Sequence, residues 1–393
     1  AALYSEDDNE EMVKTGRSME KGIKAICLNV AHDCNLCCDY CFASKGDYKA
    51  GRELMSTDVA KRALGFLVKN SPGRKRVEVD FFGGEPLMNF GTVRETVEYG
   101  RELEKEYDKK ISYTITTNGT LLNDEVKEFI NENMDNVVIS IDGRKKVHDA
   151  SRKHRSGRGS YDVAVENALE LLSERDPEKS HFIRGTFTSR NLDFTEDVKH
   201  LFDMGFHEIS IEPVVGRGED FHITESDVDR IKKEYEELVL EIIKIREDGG
   251  ELNFYHFNAD IYEGPCIFKR ISACGAGSEY IAVSPGGRIY PCHQFVGEEA
   301  FEMGDIWSGI NSYEIAEDFF DASIFTKQGC KDCWAKYFCS GGCHASAYFS
   351  NGDIRKPEII ACELQKKRIE CAIYLEVYEY SRRESENAQL AGT

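Results

Sequence analysis

The 393-residue chain carries 50 Lys and Arg against 71 Asp and Glu, a formal charge of −21. That acidity argues against a nucleic-acid partner, whose phosphates need a basic footprint. The length allows two or three domains and a core that needs no disulfides. The 14 cysteines come without a secretory signal, because residues 1–20 are polar and acidic. No apolar run approaches the ~20 residues of a membrane span. In such a chain thiols read as metal ligands rather than disulfides.

The first predicted strand, Ala25–Val30, leads into Cys34-Asn35-Leu36-Cys37-Cys38-Asp39-Tyr40-Cys41. Three thiolates at the spacing C-x3-C-x2-C, those of Cys34, Cys38 and Cys41, hold three irons of a cubane and leave the fourth open. The alternative is a structural zinc knuckle, which favours C-x2-C pairs and a fourth Cys or His. Recruiting Cys37 would crowd adjacent cysteines into one small site. Further strands are predicted at Val77–Phe82, Ile111–Thr116, Val137–Ile141, Phe182–Thr188 and Glu208–Glu212. They are short and rich in Val, Ile and Phe, as strands buried on both faces are. Between and after them lie helical patterns at Thr57–Lys69, Thr92–Tyr107, Asp124–Asn133, Tyr161–Ser173, Thr195–Met204 and Thr224–Arg246. Six βα units predict a parallel sheet with helices outside, an open and partial form of the βα barrel.

In such sheets chemistry gathers at the strand C-terminal ends. Phe82-Gly83-Gly84-Glu85-Pro86 follows the second strand, where bare backbone can approach a ligand closely. Thr117-Asn118-Gly119 follows the third, and Ser140-Ile141-Asp142-Gly143 ends the fourth. Alone, Gly-Gly-Glu is also what a plain turn looks like, and Asn118, Asp142, Arg184 and Glu212 could equally be satisfied strand-end polar groups.

The βα pattern breaks around Gly249–Gly264, and nine of the 14 cysteines lie beyond Pro265. Their spacing is Cys274-x12-Gly287-x4-Cys292, then Cys330-x2-Cys333-x5-Cys339-x3-Cys343, then Cys362. Two zinc ribbons are the alternative for such C-x2-C pairs. A helical stretch at Glu358–Glu379 closes the fold, and the polar tail Ser381–Thr393 is expected to be disordered. Cys27 and Cys371 read as buried small hydrophobes, and Cys37 as a bystander. His32, His293 and His344 flank ligand cysteines and read as hydrogen-bonding neighbours rather than ligands.

The three-cysteine loop with Tyr40 before its last cysteine, followed by Gly83-Gly84-Glu85, resembles the signature of the radical S-adenosylmethionine (SAM) enzymes. The seven later cysteines resemble the SPASM domain. The resemblance implies an α/β fold: a partial (β/α)6 radical SAM barrel at 24–248, a linker at 249–264, and a SPASM domain with its C-terminal helix at 265–380. Residues 1–23 would be a lead-in and 381–393 the tail. The implied cofactors are SAM and three four-iron (4Fe-4S) clusters. Cys34, Cys38 and Cys41 would hold the cluster whose open iron takes the amino and carboxylate groups of SAM. Tyr40, Gly83, Gly84, Glu85, Asn118, Ser140, Asp142, Arg184 and Glu212 are assigned to the SAM site, with Glu85 on the methionyl ammonium. By matching positions Cys330, Cys333, Cys339 and Cys362 would close one auxiliary cluster. Cys274, Cys292 and Cys343 would hold the other, with Cys266 an open candidate for its fourth ligand.

Ala31-His32-Asp33-Cys34-Asn35-Leu36, Val79–Phe90, Tyr290–Phe295 and Cys339-Ser340-Gly341-Gly342-Cys343, with Thr15-Gly16-Arg17, look very like the maturases of SCIFF peptides. Those enzymes join a peptide cysteine sulfur to a nearby residue, usually threonine, as a thioether. The likeness implies a cysteine-rich precursor peptide and a low-potential electron donor as partners, in the cytoplasm of an anaerobe. Such maturases often carry an N-terminal peptide-recognition domain, and a start at Ala1-Ala2-Leu3 reads as if it were missing. The nearest rival is the anaerobic sulfatase maturase, in which an aspartate base follows the matching cysteine; here His293 follows Cys292. A non-enzymatic iron–sulfur carrier needs closed clusters and has no use for a rim built around Glu85.

Overall fold

A computed structural model gives the fold and describes residues 10–11, 22–215, 220–259, 261 and 271–391. Thr15-Gly16-Arg17 and Cys266 lie outside the described residues. In chain order the main elements are β1 (Ala25–His32), α1 (Thr57–Lys69), β2 (Arg76–Gly83), α2 (Phe90–Tyr107), β3 (Lys110–Thr117), α3 (Asp124–Asn133), β4 (Asn136–Ser140), α4 (Lys145–Ser151), α5 (Tyr161–Ser173), β5 (Ser180–Phe187), α6 (Phe194–Asp203), β6 (Glu208–Pro213), α7 (Val228–Glu247), β7 (Tyr280–Val283), β8 (Arg288–Tyr290), α8 (Tyr313–Asp321), α9 (His344–Asn351) and α10 (Ile359–Ala391). The chain divides into two compact units, one of Arg17–Thr186 with Cys274–Ala322, the other of Ala1–Gly16, Phe187–Ala273 and Ser323–Thr393.

The first unit is built on a sheet with the order β8-β7-β1-β2-β3-β4-β5. All pairs from β7 to β5 are parallel, and β8 is antiparallel to β7. β1 is buried along its whole length, which is why Ala25-Ile26-Cys27-Leu28-Asn29-Val30 reads as a nearly continuous apolar run. β2 and β3 alternate between buried and less buried residues. The helices start where their caps predict. Ser56 Oγ accepts from Val59 N–H (3.3 Å), and Asn123 Oδ1 accepts from Val126 N–H (3.0 Å); each satisfies one orphan donor of a first turn. α1 then buries Ala60, Ala63, Leu64, Leu67 and Val68.

In the second unit α10 runs along α7. Lys232 pairs with Glu363 (2.6 Å), Lys367 with Glu236 (2.9 Å) and Arg246 with Glu379 (3.3 Å). Partner numbers rise together, so the two helices are parallel. Between them Arg368 Nε donates to the buried Tyr235 hydroxyl (2.8 Å). Of the tail expected to be disordered, residues 381–391 are instead the end of α10, which reaches Ala391. Ser381-Arg382-Arg383-Glu384 holds no glycine or proline, so nothing stops the helix that precedes it. Five further elements depart from the sequence reading: the helices α4, α8 and α9, and the strands β7 and β8, which join the sheet at the far side of β1. No helix of the described residues is long and apolar enough to cross a membrane.

Candidate active site

The site begins where β1 and β2 end side by side. Gly84 N–H donates to Ala31 O (2.7 Å) and Glu85 N–H to Asp33 O (2.9 Å). A Cβ on Gly84 would lie 2.2 Å from the Asp33 carbonyl oxygen, and one on Gly46 would lie 2.7 Å from Cys34 Cβ. Bare backbone therefore lets two segments close on Cys34. The second of them is strained: Ser44, Lys45, Tyr48 and Lys49 hold φ between 51° and 65°. Each such residue costs on the order of 1 kcal/mol and persists only where its surroundings fix it. Tyr48 provides that fixing, since its buried ring stacks on His32 (centroids 4.5 Å apart) and its hydroxyl donates to Gly83 O (3.3 Å).

The three thiols face one another. Burial, followed by the Glu85 carboxylate, pushes Cys34 up to about 12, and the Cys38 and Cys41 thiols add to the shift. Burial also pushes Cys38 up to about 12 against the pull of Arg152. Cys41 is raised by burial and partly relieved by the N–H groups of Ala43, Lys45 and Gly46. Leu36 N–H donates to Cys34 Sγ (3.4 Å), and Asn118 Nδ2 approaches it at 3.8 Å. Cys37 stands beside them on backbone tied elsewhere, its N–H donating to Lys153 O (2.7 Å).

Glu85 is fully buried. Its Oε1 accepts from Leu87 N–H (3.1 Å) and the Thr117 hydroxyl (2.7 Å), and its Oε2 from Asn118 N–H (2.8 Å). Burial raises its pKa to about 7, and these donors oppose that shift. A carboxylate offers about four acceptor positions, so three are used by the chain and one remains on Oε2. Glu85 thereby ties the end of β2 to the end of β3.

Asp142 makes the corresponding tie from β4. Its Oδ1 accepts from Arg152 Nε (3.0 Å) and Thr186 N–H (3.0 Å), and its Oδ2 accepts from the Tyr40 hydroxyl. The Arg152 guanidinium also lies over the Tyr40 ring, 5.4 Å from its centroid. Burial opposes the charge on Arg152, but Asp142, Tyr40 and Cys38 more than restore it. Burial lifts the Tyr40 hydroxyl well above its usual range, so it stays a donor. His148 supports the arrangement through Nδ1, which accepts from Asp142 N–H (3.3 Å).

Cys34, Cys38, Cys41, Tyr40, Gly83, Gly84, Glu85, Asn118 and Asp142 thus come together. Ser140, the last residue of β4, sits opposite Arg184, which lies inside β5. Glu212 belongs to the second unit, where it ends β6 with His256 Nε2 3.9 Å away. Sequence reasoning missed Asp33, whose Oδ1 accepts from Cys34 N–H (2.9 Å), and Arg152. Thr117 was in view within Thr117-Asn118-Gly119, but only its neighbour was singled out. For Arg152 no local signal exists, because it is one base among many in its segment.

Four of the later cysteines gather in the second unit. Cys330, Cys333 and Cys339 each raise the pKa of Cys362, after the larger effect of burial. Cys339 is raised by burial and relieved by the Gly341 and Gly342 N–H groups. Lys327 is buried there and donates to Gly341 O (2.9 Å) and Gly342 O (3.3 Å). Cys343 caps α9, its Sγ accepting from Ser346 N–H (3.5 Å). Cys274 and Cys292 belong to the first unit and Cys343 to the second.

Among the described residues no three His, Cys, Asp or Glu side chains are gathered tightly enough to hold one metal ion. A zinc ion, with Zn–S bonds of about 2.3 Å, demands such a tight group. In a cubane each thiolate takes its own iron, so the ring is wider. Two groups of thiols, one of three and one of four, buried or half-buried, with backbone N–H groups turned to Cys34, Cys41 and Cys339, are a donor set that fits iron–sulfur clusters.

Residues 28–186 match the Radical SAM superfamily. These residues form a radical SAM domain. An uncharacterized protein of Methanocaldococcus jannaschii is 32% identical over 49% of this chain, and the match spans 64% of that protein, a little under two thirds of its length. The radical SAM cyclopropyl synthase TigE of Paramaledivibacter caminithermalis is 24% identical over 92% of this chain and 77% of its own. A cysteine-type anaerobic sulfatase-maturating enzyme of Clostridium novyi is 26% identical over 84% of this chain and 91% of its own. Among solved structures, native anSMEcpe with bound AdoMet and Kp18Cys peptide shares the fold, with a TM-score of 0.74 over 91% of this chain and 99% of that one at 19% identity. A radical SAM domain implies SAM and a 4Fe-4S cluster, and the three-thiol ring lies inside it.

Proposed function

We propose that the chain is a radical SAM maturase that joins a cysteine sulfur of a cysteine-rich precursor peptide to a nearby residue, threonine first among candidates, as a thioether. Cys34, Cys38 and Cys41 hold the catalytic cluster; Cys330, Cys333, Cys339 and Cys362 hold an auxiliary one. The barrel, linker and SPASM boundaries at 24–248, 249–264 and 265–380 are part of the proposal. When bound, the cluster and SAM supply a 5′-deoxyadenosyl radical through one-electron cleavage of the sulfonium. The chain's own residues hold this chemistry in place. Tyr40, Asp142 and Arg152 fix the loop between the second and third thiols. Glu85 would offer its one remaining acceptor position to the methionyl ammonium, a charge-assisted contact. Asn118 orients the first thiol.

The observation that carries the choice of reaction is His293. It follows Cys292, packs against Phe82 and Phe42 (centroids 4.8 and 5.7 Å), and donates to or accepts from Tyr280 Oη through Nδ1 (3.3 Å). Burial, then Arg184, pulls its pKa down to about 4, so it is a neutral imidazole near pH 7. A carboxylate base at this position is what the sulfatase-maturase resemblance calls for, and the chain lacks it. The second reading, oxidation of a peptide Cys or Ser to formylglycine, draws support from the Clostridium novyi relative.

One experiment separates them. The anaerobically loaded enzyme is incubated with SAM, dithionite and a peptide carrying cysteine and threonine, and the product is read by mass spectrometry. A thioether product loses two hydrogens and its cysteine no longer alkylates. A formylglycine product loses sulfur and gains a hydrazine-reactive aldehyde. Formation of 5′-deoxyadenosine with an unaltered peptide would overturn both substrate readings.

A further inference from the structure

Segment 143–158 stands apart from the chain that contains it. Seven of its sixteen residues are Lys or Arg and one, Asp149, is acidic, in a protein of net charge −21. The segment spans α4 and the loop after it, and its backbone is stitched to the cysteine loop. Cys37 N–H donates to Lys153 O (2.7 Å), Asp39 N–H donates to Ser151 O (3.1 Å), and Leu36 bridges His154. Two of the bases serve the fold: Arg152 pairs with Asp142, and Lys145 pairs with Asp149 and Asp162. Lys146, Arg155 and Arg158 are exposed and Lys153 is half-buried. Arg155 and Arg52 converge on the single carboxylate of Asp33, which is itself hydrogen-bonded to Cys34 N–H. Lys45, in the cysteine loop, is exposed as well. Asp39, Asp47 and Glu53 are the acids on the same ground, so across 33–53 and 143–158 ten bases meet five acids.

Stability does not explain this collar, because exposed charges contribute little to it. SAM does not explain it either, since its sulfonium and ammonium are cationic and its one carboxylate is assigned to the open iron. The cluster has to hold one electron before SAM is cleaved, and an electron supplied by a donor protein has to arrive near Cys34, Cys38 and Cys41.

We propose that the cationic collar of Lys45, Arg52, Lys153, Arg155 and Arg158 docks a small acidic electron-carrier protein, bearing flavin or an iron–sulfur centre, against the backbone of the cysteine loop. The proposal rests on the radical SAM reading above. In the step it describes, one electron leaves the reduced carrier and one enters the cluster, with no bond made or broken. Opposite charge speeds the encounter and selects the approach. The rest of this acidic chain repels such a carrier, so the collar also decides where it lands. Salt weakens the attraction, because the pairs are exposed.

The test uses the full-length, anaerobically loaded protein and the double variant Lys153→Glu/Arg158→Glu, with Lys153→Gln/Arg158→Gln as a milder partner. Cluster bleaching is followed by stopped flow with reduced flavodoxin and, separately, with dithionite. The expected result is a flavodoxin rate at least about tenfold lower in the charge-reversed variant, a smaller loss in the Gln variant, and a wild-type rate that falls with salt. Iron content and dithionite-driven 5′-deoxyadenosine formation stay unchanged. An unchanged flavodoxin rate in a correctly loaded variant overturns the proposal. So does an unchanged flavodoxin rate with a raised KM for the peptide, which would make the collar a substrate contact. Failure of dithionite to drive SAM cleavage in the wild type would instead overturn the reading on which the proposal rests.

Discussion

The loop carrying Cys34, Cys38 and Cys41 is clamped by polar side chains and by glycine backbone that no other residue could replace without a clash. Cys330, Cys333, Cys339 and Cys362 sit instead on short turns and a helix start. Cys333 N–H donates to Cys330 O (3.1 Å), Cys339 N–H to Ala335 O (2.8 Å) and Cys362 N–H to Glu358 O (3.0 Å). The first ring has three thiols and is surrounded by Asn118, Glu85, Tyr40 and Asp142, whose donors and acceptors are aimed and counted. The second has four thiols, and its company is cationic: Lys327 lowers Cys330 and Cys339, and Lys366 lowers Cys362, each against a larger upward effect of burial. A ring that supplies every ligand needs only charge compensation around it. On the proposed reading, the ring that leaves an iron open would need neighbours that can orient whatever binds there.

The largest expected effect removes one ring at a time. Replacing Cys34, Cys38 and Cys41 by Ala should abolish 5′-deoxyadenosine formation and leave the iron of the other ring in place. Replacing Cys330 and Cys333 by Ala should lower the iron content yet leave SAM cleavage measurable. Iron analysis with chromatography of the nucleoside decides, and equal loss of cleavage in both variants would erase the distinction.

Next in size is the clamp. Arg152→Met leaves Asp142 buried without its cation, which should cost about 3–5 kcal/mol and lower the melting temperature. Iron should be lost first from the three-thiol ring. An unchanged melting curve would mean that the clamp does not hold the loop.

His148 sharpens the comparison through pH. Burial holds its pKa down to about 4, and the charges facing it are Asp142, Arg152, Asp149 and Lys145. Its folded pKa lies below the value of about 6.5 expected when unfolded. Stability is therefore full above 6.5 and is lost as pH falls toward 4, by about 3 kcal/mol in all. In His148→Asn that part of the acid sensitivity should vanish, as melting temperatures near pH 7 and near pH 4.5 would show.

The smallest effect belongs to Lys327. Lys327→Met leaves the carbonyls of Gly341 and Gly342 without their donor, at about 1–3 kcal/mol. Looser iron in the four-thiol ring, measured by chelator release, should accompany it, with SAM affinity unmoved.

Much of this was legible in the sequence. The six strands fall within a residue or two of their predicted spans, because buried parallel strands announce themselves as apolar runs. The three-thiol spacing and the Gly-Gly-Glu turn singled out residues that the structure brings together at the ends of β1 and β2. What stayed hidden was pairing at a distance. Asp142 could be noticed, but nothing in the chain says that its partner is Arg152 rather than Arg155. Tyr280–Val283 reads as one more short apolar stretch among cysteines, and its place beside β1 is a tertiary fact. The end of α10 was missed for the opposite reason: a polar composition suggested disorder, whereas helix formers carried the turns onward.

The pairing of Ala25 with Tyr280 also sets a schedule. β1 is an inner strand of the finished sheet, yet one of its two hydrogen-bonding edges is closed by residues that leave the ribosome long afterwards. At roughly 5–20 residues per second the delay is about 13 to 50 s. Until then the nascent chain presents an open, mostly apolar strand directly upstream of the cysteine loop, the kind of edge that invites wrong partners. Long-range closure of this sort slows folding as well. The strand that launches the cysteine loop is thus among the last to be sealed, which leaves the thiols in an incompletely closed scaffold for most of translation.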